Sequence, residues 1–223
     1  KILDIAVKGI LNVLDGCIKN NIKELYLASS SEVYQTPEKI PTNEKEPLKI
    51  PDIYNPRYSY GGGKIITELM GVHYGKIFFN KLVIFRPHNV YGPDMGYDHV
   101  IPQFIDRFIK KKKKDNKFAI KGTGNETRSF IFIDDFISAF DLILKKGKHL
   151  NIYNIGTNEE IKISQLALKM SKFFNKKIIL QKTKIAKGST KRRCPNILKI
   201  AKLGFKQKCN LNLGLQKTID WYR

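Results

Sequence analysis

The chain has 223 residues, enough for one large or two small units with a sizeable core, and its 42% hydrophobic content is that of an ordinary globular protein. No apolar run is long enough to cross a bilayer, and the three scattered cysteines, Cys17, Cys194 and Cys209, have neither metal-ligand spacing nor the even count of a disulfide framework, so no metal site is expected and a reducing cytoplasm is. The formal net charge of +21 is mostly lysine spread along the chain, with no aromatic-interleaved basic motif, so neither a nucleic-acid nor a membrane partner is expected.

In chain order, residues 5–19 read as an amphipathic helix with Ile10, Val13, Leu14 and Cys17 inward. Lys23 to Ala28 is a short strand that runs into Ser29-Ser30-Ser31-Glu32, and Thr36 to Pro56 is a proline-rich polar loop. Tyr58 to Tyr74 is a helix, Leu82 to Phe85 a second strand, and Val100 to Lys112 a helix opened by Pro102. The lysine cluster Lys110 to Lys114 reads as a solvated helix end, where cations complement the helix dipole. Phe118 to Lys121 is a strand before the Gly122–Gly124 turn, Ile133 a strand end, and Phe136 to Lys145 a helix that Asp134 and Asp135 would cap. A strand at Ile152–Ile155, a helix at Ile163–Phe174, a strand at Lys177–Gln181 and helices near Ile197–Lys202 and Leu213–Trp221 complete the chain. This alternation predicts a parallel sheet covered by helices.

The chemistry is concentrated at two places. Tyr60 and Lys64 are four residues apart and share a helix face. A phenol titrates near 10 when unperturbed, and a neighbouring ammonium favours the phenolate, which makes the pair an oxygen base. Upstream, an apolar strand ends in hydroxyls and a carboxylate, Ser30 and Glu32 among them, and ends of parallel strands are where α/β enzymes keep their chemistry.

Together these residues resemble the Ser–Tyr–Lys set of the short-chain dehydrogenase/reductases. Ser30-Ser31-Glu32-Val33-Tyr34, then Asn55-Pro56-Arg57, then Tyr60-x-x-x-Lys64 is similar to the extended branch that acts on nucleotide sugars. Arg86-Pro87-His88-Asn89-Val90-Tyr91-Gly92-Pro93, the Gly122-x-Gly124-x-x-x-Arg128-x-Phe130 segment, Arg193-Cys194-Pro195-Asn196, Leu203-Gly204-Phe205 and Leu213-Gly214-Leu215 resemble further marks of that family in the same order.

The resemblance implies an α/β, Rossmann-like parallel sheet with a smaller C-terminal substrate-binding α/β subdomain. Residues 1–93 would be the C-terminal part of an NAD-binding domain. Residues 94–223 would mostly bind sugar nucleotide, with some segments returning to the main sheet. It implies an NAD-dependent epimerase or dehydratase that oxidises a nucleotide diphosphate sugar at C4, and a homodimer. The alternatives are a UDP-glucuronate decarboxylase of the same family and a non-catalytic sugar-nucleotide-binding fragment. Tyr60 would be the base, Lys64 its partner and a ligand of the nicotinamide ribose, and Ser30 the donor to the developing alkoxide. Glu32 would act after oxidation. Pro87 and His88 would lie along the cofactor, and Ser31, Asn89, Val100, Ile101, Arg128 and Arg193 along the substrate. No Gly-x-Gly-x-x-Gly turn follows a strand, so the chain is expected to lack the adenosine half of its cofactor site. Gly61-Gly62-Gly63 lowers helix propensity by about 1 kcal/mol per residue relative to alanine. Close approach of backbone to a ligand is one reason to keep such a run.

Overall fold

A computed structural model of the chain describes residues 1–112, 116–185 and 187–223. Helix α1 (Ile2–Lys19) leads to strand β1 (Glu24–Ala28), a one-turn 3-10 helix at Ser31–Tyr34 and a long loop. Next come α2 (Ser59–Phe78), β2 (Lys81–Pro87), β3 (Val90–Tyr91), α3 (Val100–Lys110), β4 (Lys117–Ile120), β5 (Thr127–Ser129), β6 (Ile131–Phe132) and α4 (Ile133–Lys146). The chain ends with β7 (Asn151–Ile155), β8 (Glu160–Lys162), α5 (Ile163–Phe173), β9 (Ile179–Lys182), β10 (Arg192–Arg193), α6 (Leu198–Ala201) and α7 (Leu211–Tyr222).

The main sheet has the order β1-β2-β7, all parallel, with Ala28 opposite Phe85 and Pro87 opposite Ile155. Its central strand is almost wholly buried, as a parallel strand covered on both faces must be. On one face Leu27, Leu82 and Ile84 pack with Ile10 and Leu14 of α1 and with Phe79. On the other, Val83, Phe85, Tyr153 and Ile155 pack with Ala139 and Ile143 of α4. A separate core joins α3, α5 and α7 around Phe104, Phe108, Phe118, Leu166, Met170 and Leu215. Smaller pairings, β10-β5-β8, β3-β6 and β4-β9, frame it.

Several local expectations are corrected. Val13 is 48% exposed, on the open side of α1. Ile133 is the first residue of α4, not a strand end, because the strand there is only Ile131–Phe132. Asp134 and Asp135 sit in the first turn of α4 without capping it. Asp135 accepts from the backbone N–H groups of Lys208 and Cys209 (3.0 and 2.9 Å), and Asp134 pairs with Lys217. Lys110 ends α3 and pairs with Asp106, while Lys113 and Lys114 of the lysine cluster lie outside the described residues.

The glycine run has a packing role. Gly61, Gly62 and Gly63 are all buried. A Cβ on Gly61 would stand 2.8 Å from the carbonyl oxygen of Glu32, and one on Gly63 would stand 2.7 Å from the Cβ of Ala6. The run therefore lets α2 close onto α1 and onto the turn after β1, which sets where Tyr60 stands.

Candidate active site

The C-terminal ends of β1 and β2 carry the first half of the site. Ser30 is the N-cap of the Ser31–Tyr34 turn, and its Oγ accepts from the backbone N–H of Glu32 at 3.1 Å. That bond uses a lone pair and leaves the hydroxyl proton to donate elsewhere. Ser31 is buried in the same turn. On α2, Tyr60 is 45% exposed, and the Lys64 ammonium lies 5.9 Å from its ring centroid. Lys64 donates to the carbonyl oxygen of Ala28 at 2.8 Å, and burial lowers its pKa.

Pro87 ends β2, and His88 follows it into the interior. The imidazole is fully buried, with Nε2 3.3 Å from Oδ1 of Asn154 and Nδ1 without a partner among the described residues. Contact with a carbonyl oxygen requires the proton on Nε2, so Nδ1 is a bare acceptor. Burial pushes the His88 pKa down to about 3, so the ring is neutral.

The second half is a cavity of about 540 Å³ beside the core of α3, α5 and α7. Val100, Ile101, Phe104 and Phe130 give it apolar surface; Arg57, Arg128, Lys121 and Lys184 give it cations, Asp98 and Glu126 carboxylates, and Asn89 also lines it. Its rim is shaped by the Gly122–Gly124 loop. Gly122 and Gly124 have φ of +87° and +81°, a region that favours glycine, and Glu126 accepts the N–H groups of Thr123 and Gly124 (3.1 and 2.8 Å). Arg128 donates to Thr127 O, and burial, reinforced by the charge of Arg193, lowers its pKa to about 10.

Glu32 connects the halves. Its main chain lies against Gly61 of α2, beside Tyr60, while its carboxylate accepts from Arg193 Nη1 at 2.5 Å. Burial pushes this carboxyl up. The charge and hydrogen bond of Arg193, with the charges of Arg57 and Arg128, outweigh burial and hold it below the usual range. Arg193 also donates to Thr190, and its Nε is buried without a partner among the described residues.

The expected residues are thus brought together in part. Asn89, Val100, Ile101 and Arg128 line one cavity. Tyr60 and Lys64 line a different one, of about 380 Å³, with Ile2, Ile5, Val13 and Leu27. Ser30, Ser31, Glu32, Pro87, His88 and Arg193 line neither. Sequence reasoning passed over Arg57 as a lining residue, although it stands in the quoted Asn-Pro-Arg run. It also passed over Glu68, which continues the Tyr60–Lys64 spacing by one more turn.

A family model described as the NAD dependent epimerase/dehydratase family matches residues 1–156. A dTDP-D-glucose 4,6-dehydratase from Dictyostelium discoideum is 35% identical over 170 residues, covering 74% of this chain and 38% of that protein. A protein named putative UDP-glucose 4-epimerase from Methanocaldococcus jannaschii is 30% identical over 226 aligned positions, covering 99% of this chain and 70% of its own length. Among solved structures, a dTDP-glucose 4,6-dehydratase from Bacillus anthracis in complex with NAD superimposes with a TM-score of 0.84 at 24% identity, covering 99% of this chain and 68% of that one. A UDP-N-acetylglucosamine 4-epimerase from Methanobrevibacter ruminantium, in complex with UDP-N-acetylmuramic acid, superimposes with a TM-score of 0.87 at 23% identity, with 98% and 69% covered. At those identities the structures speak for the fold, a Rossmann-like α/β arrangement. The chain spans 31–38% of the length of the first curated relatives it matches. With the family model matched over residues 1–156, most of the sequence, the chain belongs to the NAD-dependent epimerase/dehydratase family.

Proposed function

We propose that this chain supplies the catalytic and sugar-nucleotide-binding part of an NAD-dependent enzyme that epimerises or dehydrates a nucleotide diphosphate sugar through a 4-keto intermediate. The observation that carries the reading is the position of Glu32. Its backbone packs beside Tyr60 and its carboxylate sits among three arginines, so the hydroxyl-bearing strand ends adjoin a cation-lined cavity. The names of the relatives, with dTDP-glucose and UDP-glucose in them, support a nucleotide sugar as substrate.

The residues fit the nicotinamide-ribose end of NAD. Lys64 is a half-buried donor next to an exposed phenol, at strand ends where α/β sheets hold ligands. A turn for the NAD pyrophosphate is not found in these 223 residues. When bound, NAD supplies a hydride acceptor. Tyr60 takes the proton of the sugar C4 hydroxyl, and the Lys64 charge favours the phenolate that does so. Ser30, its lone pair engaged by Glu32 N–H, donates to the developing alkoxide. Glu32, held ionised, would move a proton at the next carbon. Arg128 and Arg57 suit a diphosphate, which guanidinium groups bind bidentately, and Val100 and Ile101 suit the apolar face of a base. Pro87 and His88 would lie along the cofactor, and Asn89 along the substrate.

Decarboxylation of a UDP-hexuronate is the second reading, with Arg193 holding the sugar carboxylate. The 2.5 Å pairing of Arg193 with Glu32 occupies that guanidinium and favours the first. The division near residue 93 and a homodimer belong to the same proposal. Leu69 (56% exposed) and Ile77 (74% exposed) on α2 suit a subunit contact. Incubation of the intact protein with NAD and a panel of nucleotide sugars, followed by separation and mass spectrometry, tests the reading. An isomer or a loss of water supports it, loss of carbon dioxide selects the second reading, and binding without reaction leaves a binding module.

A further inference from the structure

We infer that Glu68 is a positioning residue, which with Ser29 and Arg86 sets where Ser30 stands relative to Tyr60; the inference rests on the functional reading above. Tyr60, Lys64 and Glu68 recur every four residues and form one stripe along α2. That stripe meets the end of β1 residue by residue. Lys64 donates to Ala28 O at 2.8 Å, and Ser29 Oγ donates to Glu68 Oε1 at 2.5 Å. One turn earlier, Gly61 lets the same helix close onto the backbone of Glu32. Residues 28, 29 and 32 are therefore all held by α2, with Ser30 between them.

Glu68 is itself fixed from behind. Arg86 Nε donates to its Oε1 at 2.8 Å and Arg86 Nη2 to its Oε2 at 2.6 Å, a planar fork that sets the carboxylate's orientation. Both side chains are almost completely buried, at 2% and 5% exposure. The remaining guanidinium nitrogen reaches Tyr34 OH at 2.6 Å and Glu44 O at 3.1 Å, so the same arginine also holds the turn and loop that follow Ser30. A buried ion pair is a poor source of net stability compared with apolar residues of equal volume. What it adds here is a fixed register between helix and strand end. Neither Ser29 nor Glu68 lines either cavity, so any effect on turnover must pass through their neighbours.

The test uses Ser29→Ala, which leaves the Glu68–Arg86 pair whole, and Glu68→Gln, which does not, in the intact protein with NAD and the nucleotide sugar it turns over. Ser29→Ala is expected to lower kcat about 10- to 100-fold while KM stays within about 3-fold, the signature of misplaced reacting groups rather than lost binding. The double variant should fall no further than Glu68→Gln alone, because both changes act through one contact. A kcat for Ser29→Ala within about 2-fold of wild type, a KM that rises at constant kcat, or effects that multiply would each overturn the inference. Should Glu68→Gln fail to fold, Ser29→Ala decides alone. If wild-type protein turns over no nucleotide sugar, the functional reading fails instead. Crystal structures of wild type and Ser29→Ala then decide the positioning role: a shift of Ser30 against Tyr60 of about 1 Å supports it, and superposition overturns it.

Discussion

The two ends of the site are built in opposite ways. At the strand ends, Ser29, Glu68, Arg86, Tyr34, Asn154 and His88 form one continuous buried network, with Tyr34 OH donating to Asn154 Oδ1 at 2.8 Å. The larger cavity is lined by Arg57, Arg128, Lys121 and Lys184 together with the carboxylates of Asp98 and Glu126. Among the described residues the Arg128 side chain donates only to Thr127 O, and apolar side chains share the lining. Apart from His88 Nδ1, the side chains of the first region are paired with one another, so it holds geometry. In the second, burial and the charge of Arg193 lower the pKa of Arg128, and in the proposed reading a ligand completes the region. Catalytic groups need fixed positions, whereas a binding surface gains from groups that stay unsatisfied until the ligand arrives.

The sharpest way to break this comparison is to remove the reacting group and leave the rest. Tyr60→Phe is expected to lower kcat by about 10²- to 10⁴-fold while the sugar nucleotide still binds, measured by steady-state kinetics and calorimetry. Near-normal turnover would remove Tyr60 from the chemistry.

Next in size is the network itself. Glu68→Ala leaves the Arg86 charge buried and unpaired, which destabilises by about 3–5 kcal/mol and lowers Tm by on the order of 10 °C. A calorimetric Tm equal to that of wild type would mean that the strand-end region is not the rigid one.

The cavity should respond differently. Arg128→Ala is expected to weaken binding of a nucleoside diphosphate by about 1.5–3 kcal/mol, the loss of hydrogen bonds to a charged partner, with Tm almost unchanged. A large drop in Tm with unaltered affinity would reverse the roles assigned to the two ends.

The smallest effect is a pH dependence inside the network. His88 is neutral and buried, with a folded pKa of about 3 against an unfolded value near 6.5. Between those values the unfolded chain binds the extra proton, so stability falls as pH falls. From pH 6.5 to 5 the loss from this group is about 1.6 kcal/mol. Denaturant titrations of wild type and His88→Gln at the two pH values should show the wild-type loss shrink in the variant; equal losses in both would place the titrating group elsewhere.

What could be read from the sequence was local. The four-residue spacing of Tyr60 and Lys64, the apolar run ending in Ser30 and the strand before Arg86 each depend on neighbours within a few positions, and the structure has the helix and both strands there. The family resemblance came from motifs of the same short range. The glycine run showed the limit of that reading. Its cost to the helix was visible, but the surfaces it admits, Glu32 on one side and Ala6 on another, lie far away in sequence. Only the tertiary structure decided that Glu68 holds Ser29 across 39 residues, that Tyr34 meets Asn154 across 120, and that Glu32 pairs with Arg193 across 161. Nor could spacing separate the cavity lined by Tyr60 from the one lined by Arg128. Periodicity reports which face of an element is apolar, while a hydrogen bond between distant polar side chains leaves no periodic trace, so its partner is chosen only when the sheet register and the helix packing bring the two together.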